Sequence, residues 1–344
     1  MPPILIATRG SALALAQANS VLGDCRKKFP KLAFELKIIK TTGDKLQTAS
    51  PAQAAVLATR ALFTKELEEA LLQRRADLAV HSLKDLPVDL PQGLQLAGVA
   101  GEREDVRDVF IYRLDQGKSP GMKLADFPAG MTVATGSARR KTQLLALRPD
   151  FKAVDIRGNV LTRLQKLARY PELHATILAA AGLARLHFRI SPLGQLQGEG
   201  VPDGLCALVL EPEQMLPCVG QGAIGLEIRE QDEQMNEICR HLDHFETSQC
   251  VTAERAFLRA MGGGCQTPIG AYACVTGGRI HLRAVAHLTK DVQREEGKSP
   301  LSEAEDLGKR VGWRMRLANN NQALDKQALA ELQAWLQRKF LGPV

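Results

Sequence analysis

The N-terminal two thirds of the chain repeat one pattern: a short apolar run, a turn holding glycine, serine or arginine, then helical spacing. Residues 4–8 read as a strand, and Ser11 is placed to cap a helix through Leu15, Ala18 and Leu22. Leu32, Phe34, Leu36 and Ile38 alternate as in a half-buried strand, and Phe63, Leu67, Ala70 and Leu71 follow helical spacing. Residues 77–80 and 94–99 read as strands, with His81-Ser82-Leu83-Lys84-Asp85 at the exit of the first. Residues 132–135, 152–156 and 176–179 are three more strands, each followed by a turn that opens a helix. This rhythm predicts parallel sheets with helices on both faces.

A chain of 344 residues exceeds what one core usually supports, so two or three domains are expected. The charged residues 101–108 read as a crossover between domains, and residues 191–204 as a loop. The last hundred residues read as a small α+β domain. Residues 252–261 are helical and run into Gly262-Gly263-Gly264. Residues 269–275 and 279–286 flank Thr276-Gly277-Gly278 as a β-hairpin, and two amphipathic stretches, 303–317 and 323–340, close the chain.

A net charge of +7 and a pI near 9.1 point to an anionic partner. Nucleic acid is a poor fit. Aromatic residues are only 4%, so stacking platforms are scarce, and the basic residues form no nucleic-acid motif. A compact anionic ligand suits the pattern better. There is no G-x-x-x-x-G-K-[ST] loop for a nucleoside triphosphate. Gly220-Gln221-Gly222-Ala223-Ile224-Gly225 matches G-x-G-x-x-G, but Pro217-Cys218 precede it and strand-like Leu226-Glu227-Ile228 follow. It reads as a tight backbone crossing between domains. No apolar run reaches the roughly 20 residues that span a bilayer, and no signal peptide or membrane partner is expected. Seven cysteines without C-x-x-C pairs or zinc spacing fit a reducing cytosol and no metal site.

Four strand-to-helix turns carry Arg or Ser: Thr8-Arg9-Gly10-Ser11; Thr135-Gly136-Ser137-Ala138-Arg139-Arg140; Arg157-Gly158-Asn159-Val160 with Arg163; and Ala181-Gly182 with Arg185. Such turns lie at the carboxyl edge of a parallel sheet, where ligands of these folds bind. Helix N-termini there offer free N–H groups, and arginine adds a fork that matches a carboxylate or phosphate. A single arginine at a turn reads as a solvated surface residue; four such turns read as a set. Asp85 alone reads as a turn aspartate before Leu86-Pro87, or as an ionised carboxylate facing a cation. Cys265 reads as an inert thiol or, after three glycines that let the backbone bend, as a nucleophile or covalent anchor.

Seven motifs in order resemble the porphobilinogen deaminase (hydroxymethylbilane synthase) family. They are Ala7-Thr8-Arg9-Gly10-Ser11 with Leu13-Ala14-Leu15 and Gln17; His81 through Pro87; Arg103-Glu104-Asp105 with Arg107-Asp108; Ser137-Ala138-Arg139-Arg140; Arg157-Gly158-Asn159-Val160 with Thr162-Arg163; Val219-Gly220-Gln221-Gly222-Ala223; and Gly263-Gly264-Cys265-Gln266. The resemblance implies an α/β fold with two periplasmic-binding-protein-like (type II) domains and a small C-terminal α+β domain. Domain 1 would hold residues 1–102 and 220–241, domain 2 residues 107–215, and domain 3 residues 245–344. It implies a transferase that joins four porphobilinogen molecules head to tail, releases ammonia and gives hydroxymethylbilane for haem biosynthesis. The chain would grow on a dipyrromethane cofactor held by Cys265 as a thioether. Asp85 would be the catalytic carboxylate. The implied cofactor contacts are Lys84, Ser82, Thr135, Ser137, Arg139, Arg140, Arg157, Gly158 and Gln221. The implied substrate contacts are Arg9, Ser11, Gln17, Arg163, Arg185 and Arg60. A cytoplasmic monomer is expected.

The sequence departs from the family pattern at Ala58-Thr59-Arg60-Ala61, where Gly-Gly-Lys-Gly is usual in a mobile lid. It departs also at Gly136, where Ser is usual, at His174, where Asp is common, and in a longer stretch near residues 195–203. The rival reading is a non-catalytic two-lobed organic-anion binder, which needs neither Cys265 nor Asp85.

Overall fold

A computed structural model describes residues 2–41, 64–114, 121–263, 267–288 and 292–318, with residues 330, 333, 335 and 337. Arg60, Cys265 and most of the 323–340 stretch lie outside the described residues.

The chain begins with β1 (Ile4–Arg9), α1 (Ala12–Lys28), β2 (Phe34–Ile39), α2 (Lys65–Leu72), β3 (Leu78–Ser82) and β4 (Leu94–Val99). After a first crossing come β5 (Asp108–Arg113), β6 (Thr132–Ala134), α3 (Ala138–Leu147), β7 (Lys152–Val154), α4 (Val160–Arg169), β8 (Ala175–Ala179) and α5 (Ala180–Arg185). Then follow a small hairpin of β9 (Arg189–Ile190) and β10 (Leu196–Gln197), and β11 (Leu205–Leu210). A second crossing leads to β12 (Ile224–Arg229) and α6 (Glu233–Leu242). The last elements are α7 (Phe245–Ala260), β13 (Ile269–Thr276), β14 (Arg279–Ala286), β15 (Gln293–Pro300) and α8 (Ala304–Leu317).

Two five-stranded sheets share one plan. The first runs β2-β1-β3-β12-β4 and the second, read from its far edge, β7-β6-β8-β5-β11. In each, the strand formed just after a crossing takes the fourth place and runs antiparallel to both neighbours. The sheets are therefore mixed, which corrects the all-parallel expectation. The physical reason is that each sheet receives a strand from a chain arriving from the other unit, and that strand pairs in the opposite direction. The two units are α/β folds of one plan, each a mixed five-stranded sheet with helices on both faces.

Alternation explains the layers, because successive strand residues face opposite sides. Ile4 and Ile6 of β1 and Leu78 and Val80 of β3 pack under α1 and α6. Ala7 and Ala79, one residue out of step, pack on Leu67, Ala70 and Leu71 of α2. The second sheet repeats this. Phe110 and Tyr112 share a core with Leu144 of α3, while Val109 and Ile111 share one with Leu164 and Leu167 of α4.

The two crossings touch. Gly222 has φ +85°, and a Cβ there would stand 2.4 Å from the Glu104 carbonyl oxygen, so only glycine suits this position. Glu104 N–H donates to Gly222 O at 3.1 Å. This is the backbone crossing that the glycine-rich motif predicts.

The third unit is a β13-β14-β15 sheet covered by α7 and α8, with Phe257, Leu282, Leu307 and Val311 in its core. β15 was not legible as a strand, because its sequence is almost wholly polar and only Ser299 is buried. Glu254 of α7 is fully buried and ties this unit to both crossings. It takes a two-pronged pair from Arg103 at 2.6 and 3.0 Å, and N–H bonds from Gly220 and Ala273, each 2.8 Å.

Candidate active site

The Asp85 loop is built as a rigid step. β3 ends at Ser82, and Leu83–Asp85 form a 3-10 turn closed by Leu86 N–H to Leu83 O at 3.1 Å. Leu83 and Leu86 are buried on either side, leaving Lys84 half-buried and Asp85 exposed between them. Ser82 Oγ donates to Gln17 Oε1 at 2.9 Å. Gln17 is almost fully buried, and its Nε2 has no partner among the described residues. Arg9 is half-buried at the end of β1, and Ser11 caps α1 by accepting from Ala14 N–H at 3.3 Å.

The second unit supplies three comparable turns. Thr135 is buried, and its Oγ1 accepts from Ser137 N–H at 3.3 Å. Ser137 caps α3, where Arg139 and Arg140 follow. Gly158, at φ +120°, lets the chain turn into the Asn159 cap of α4. Arg163 Nε donates to Gly158 O at 2.8 Å, while Arg157 is exposed and its carbonyl accepts from Lys166 Nζ at 2.9 Å. Arg185, at the end of α5, donates to Gly222 O on the second crossing at 2.6 Å.

Of these residues Ser82, Lys84 and Arg185 share one cleft, where the two units meet the second crossing. Its walls include Leu13, Ser82 and Lys84 from the first unit, Gly182 and Arg185 from the second, and Gly222 from the crossing. Arg139 and Arg140 are buried outside its lining and grip Asp108, at 2.8 and 2.7 Å. Gln221 Nε2 adds a bond to the same carboxylate at 3.0 Å. Burial opposes ionisation of Asp108, but the two guanidiniums outweigh it and hold the carboxyl well below its usual range.

Charge in the cleft is lopsided. Burial pushes Arg163 down to about 10; Arg140 adds to this and Asp85 offsets it. Burial and Arg140 likewise depress Lys84, again against Asp85. Burial lowers Arg185, with Glu104 in opposition. Lys84, Arg139, Arg140, Arg163 and Arg185 thus converge on few carboxylates. Arg163 and Arg185 donate to carbonyl oxygens, which carry no net charge, so Asp85 and Glu104 offset them only from a distance. Such a site fits a ligand carrying several carboxylates.

Residues 4–237 match the family model described as "Porphobilinogen deaminase, dipyromethane cofactor binding domain", and residues 248–316 match "Porphobilinogen deaminase, C-terminal domain". The chain belongs to the porphobilinogen deaminase family. The porphobilinogen deaminase of Thermus thermophilus is 44% identical over 312 residues, covering 90% of this chain and 93% of that one. The porphobilinogen deaminase of Chlorobium luteolum is 42% identical over 89% of this chain and 91% of its own. A more distant likeness is the periplasmic aliphatic sulphonate binding protein SsuA from Escherichia coli, 13% identical over 76% of this chain and 71% of that one, with a TM-score of 0.37.

The cleft that Lys84 and Arg185 line lies within the region matched by the cofactor-binding domain. His81 and Asp108 stand in the quoted motifs without a role, and Glu254 and Glu227 in none; the structure gives them weight, with His81 and Glu227 a buried pair at 2.9 Å. Their signal was faint. Asp108 sits in a run of charges, and the partners of Glu254 and His81 are far away in sequence. His174, where Asp is common, accepts from Thr132 N–H through Nδ1 at 2.9 Å, as a carboxylate oxygen there would.

Proposed function

We propose that this chain joins four porphobilinogen molecules head to tail, releasing ammonia, to give hydroxymethylbilane. The reading is carried by the Asp85 carboxylate on a 3-10 turn beside a cleft lined by the half-buried cations Lys84 and Arg185, with Arg163 electrostatically coupled to Asp85. The dipyrromethane cofactor, attached through Cys265, supplies a covalently held two-pyrrole primer for the growing product.

The residues divide the work. Asp85 accepts hydrogen bonds from pyrrole N–H groups, faces the cation left when ammonia departs from the substrate, and takes part in proton transfer. At an effective dielectric near 20, a unit pair at 4 Å gains about 4 kcal/mol, roughly three decades in rate if made only in the transition state. Lys84, Arg139, Arg140 and Arg157, with Ser82, Thr135, Ser137, Gly158 and Gln221, hold the cofactor. Arg139 does so through Nε, which has no partner among the described residues. Arg9, Arg60, Arg163 and Arg185, with Ser11 and Gln17, take the acetate and propionate groups of substrate. A non-catalytic anion binder would leave Asp85 and Cys265 without a task.

We assign domain 1 to residues 1–102 and 220–241, domain 2 to 107–215 and domain 3 to 245–344. Hydrogen exchange in cooperative blocks that ignore these limits would remove the division. A cytoplasmic monomer is proposed as well. In its favour, Cys25, Cys206, Cys218, Cys239, Cys250 and Cys274 are free thiols. No helix among the described residues is long and apolar enough to cross a membrane. Sedimentation of the loaded enzyme as a dimer would overturn the monomer.

The deciding measurement is the intact mass of natively purified protein. The expected result is an excess equal to two linked pyrroles, absent in Cys265→Ser. A bare polypeptide mass in active enzyme would sink the cofactor assignment. Asp85→Asn is expected to fold and load but turn over about a thousandfold more slowly; near-normal turnover would remove Asp85 from the chemistry.

A further inference from the structure

The loop that leaves Asp85 is held by a helix of another unit. Leu83 and Leu86, on either side of Lys84 and Asp85, share one buried apolar cluster with Val251 of α7. One turn further along α7, Arg255 reaches the three carbonyls that follow Asp85 most closely after its own. Its NH1 donates to Leu86 O at 3.2 Å, and its NH2 to Pro87 O at 2.7 Å and Val88 O at 3.2 Å. Another turn on, Arg259 takes Val88 O at 2.6 Å and the Asp89 carboxylate at 2.8 Å. Val251, Arg255 and Arg259 are spaced four apart, so they form one stripe on α7 facing this loop.

Arg255 is the centre of that stripe and is 7% exposed. Its planar fork serves several acceptors at once, which a single ammonium cannot do. The loop's carbonyls are thereby satisfied from the third unit rather than by regular pairing within their own. The same helix ends at Ala260, and the chain reaches Cys265 five residues later. At about 1.5 Å per residue, α7 is a rod about 24 Å long. It grips the Asp85 loop through Val251 near its middle and Arg255 and Arg259 of its C-terminal half.

We propose that Arg255 is a positioning residue for Asp85: by fixing the backbone of Leu86, Pro87 and Val88, it sets the direction of the Asp85 carboxylate and couples the third unit to the cleft. The proposal rests on the reading of Asp85 as the catalytic carboxylate.

The test is a double-mutant cycle on enzyme whose cofactor loading has been counted by intact mass. Arg255→Met is expected to lower kcat per loaded enzyme about 10- to 100-fold, the scale of a small misplacement at a reacting centre. KM should stay within about twofold, because the substrate contacts are untouched. Arg255→Lys should recover part of the loss. In the Asp85→Asn background, Arg255→Met should change the residual kcat by less than about twofold, since there is no carboxylate left to aim. Unchanged kcat in Arg255→Met, or an equal loss with and without Asp85, overturns the proposal. Where Arg255→Met gives no loaded protein, Arg255→Lys decides. A several-fold fall in kcat that disappears in the Asp85→Asn background supports the role, and wild-type kcat ends it. Near-normal kcat in Asp85→Asn itself sinks the catalytic reading; a crippled Asp85→Asn beside a normal Arg255→Met sinks the positioning role alone.

Discussion

Asp108 is fully buried, and its carboxylate is the shared partner of Arg139, Arg140 and Gln221. Removing one member of such a cluster leaves the others buried and uncompensated. Asp108→Asn is therefore expected to cost about 3–5 kcal/mol at pH 7, read by urea denaturation. The pH dependence has a definite sign. The folded carboxyl titrates below its unfolded value of about 3.9, so its stabilisation is complete above that pH and is lost as pH falls below it. Wild-type stability should drop in that acid window and the Asp108→Asn curve should be flatter there; parallel curves would show that Asp108 contributes nothing. None of this was legible in sequence. Asp108 stands in a run of charges that reads as a crossover between domains; its arginine partners lie some thirty residues on and Gln221 more than a hundred. The arginines were legible as a set of turn residues, but not which of them turn inward. That depends on a buried acid brought in by the strand after the first crossing.

At the scale of elements, the β-strand and helix rhythm of the first two units was legible because its periods are local. The resemblance places β5 and β12 in their units; what was not legible is their fourth place and antiparallel direction in each sheet. Each pairs with strands of a unit that the chain has just entered, and such pairing leaves no local trace. The glycine-rich crossing carried a clearer signal, since the residues around it exclude the strand-turn-helix context of a dinucleotide site. Its structure makes a sharp prediction. Gly222→Ala places a side chain at positive φ, a strain of about 1–3 kcal/mol, and drives a Cβ against the Glu104 carbonyl. The crossings must then separate, which also loosens the Arg185 bond to Gly222 O. The expected result is a loss above about 2 kcal/mol and faster exchange of the Glu104 amide; a wild-type melting curve would show that the crossings tolerate parting.

Across the whole molecule, the feature to explain is a surplus of positive charge brought to one cleft by separate units. The net +7 was legible from composition, and an anionic small molecule followed from it. The four turns also read as one set for a ligand; what local pattern left open is which cations share a wall, because Lys84 comes from the first unit and Arg139, Arg140, Arg163 and Arg185 from helices of the second. Burial, with Arg140 nearby, already disfavours the charged form of Arg163, and an anionic ligand beside it would favour that form. A ligand that binds only the folded state stabilises it by about 2.7 kcal/mol at a hundred times its Kd. Cys265→Ser, which cannot attach the cofactor, should therefore melt several degrees below the loaded enzyme. Citrate, a free tricarboxylate, should raise the melting temperature of Cys265→Ser by more than sodium chloride at equal ionic strength, and should raise that of the loaded enzyme less. Screening between surface charges would respond to both salts alike. Equal shifts from citrate and chloride, or equal shifts in the two proteins, would mean that the surplus is spread over the surface and is not gathered in the cleft.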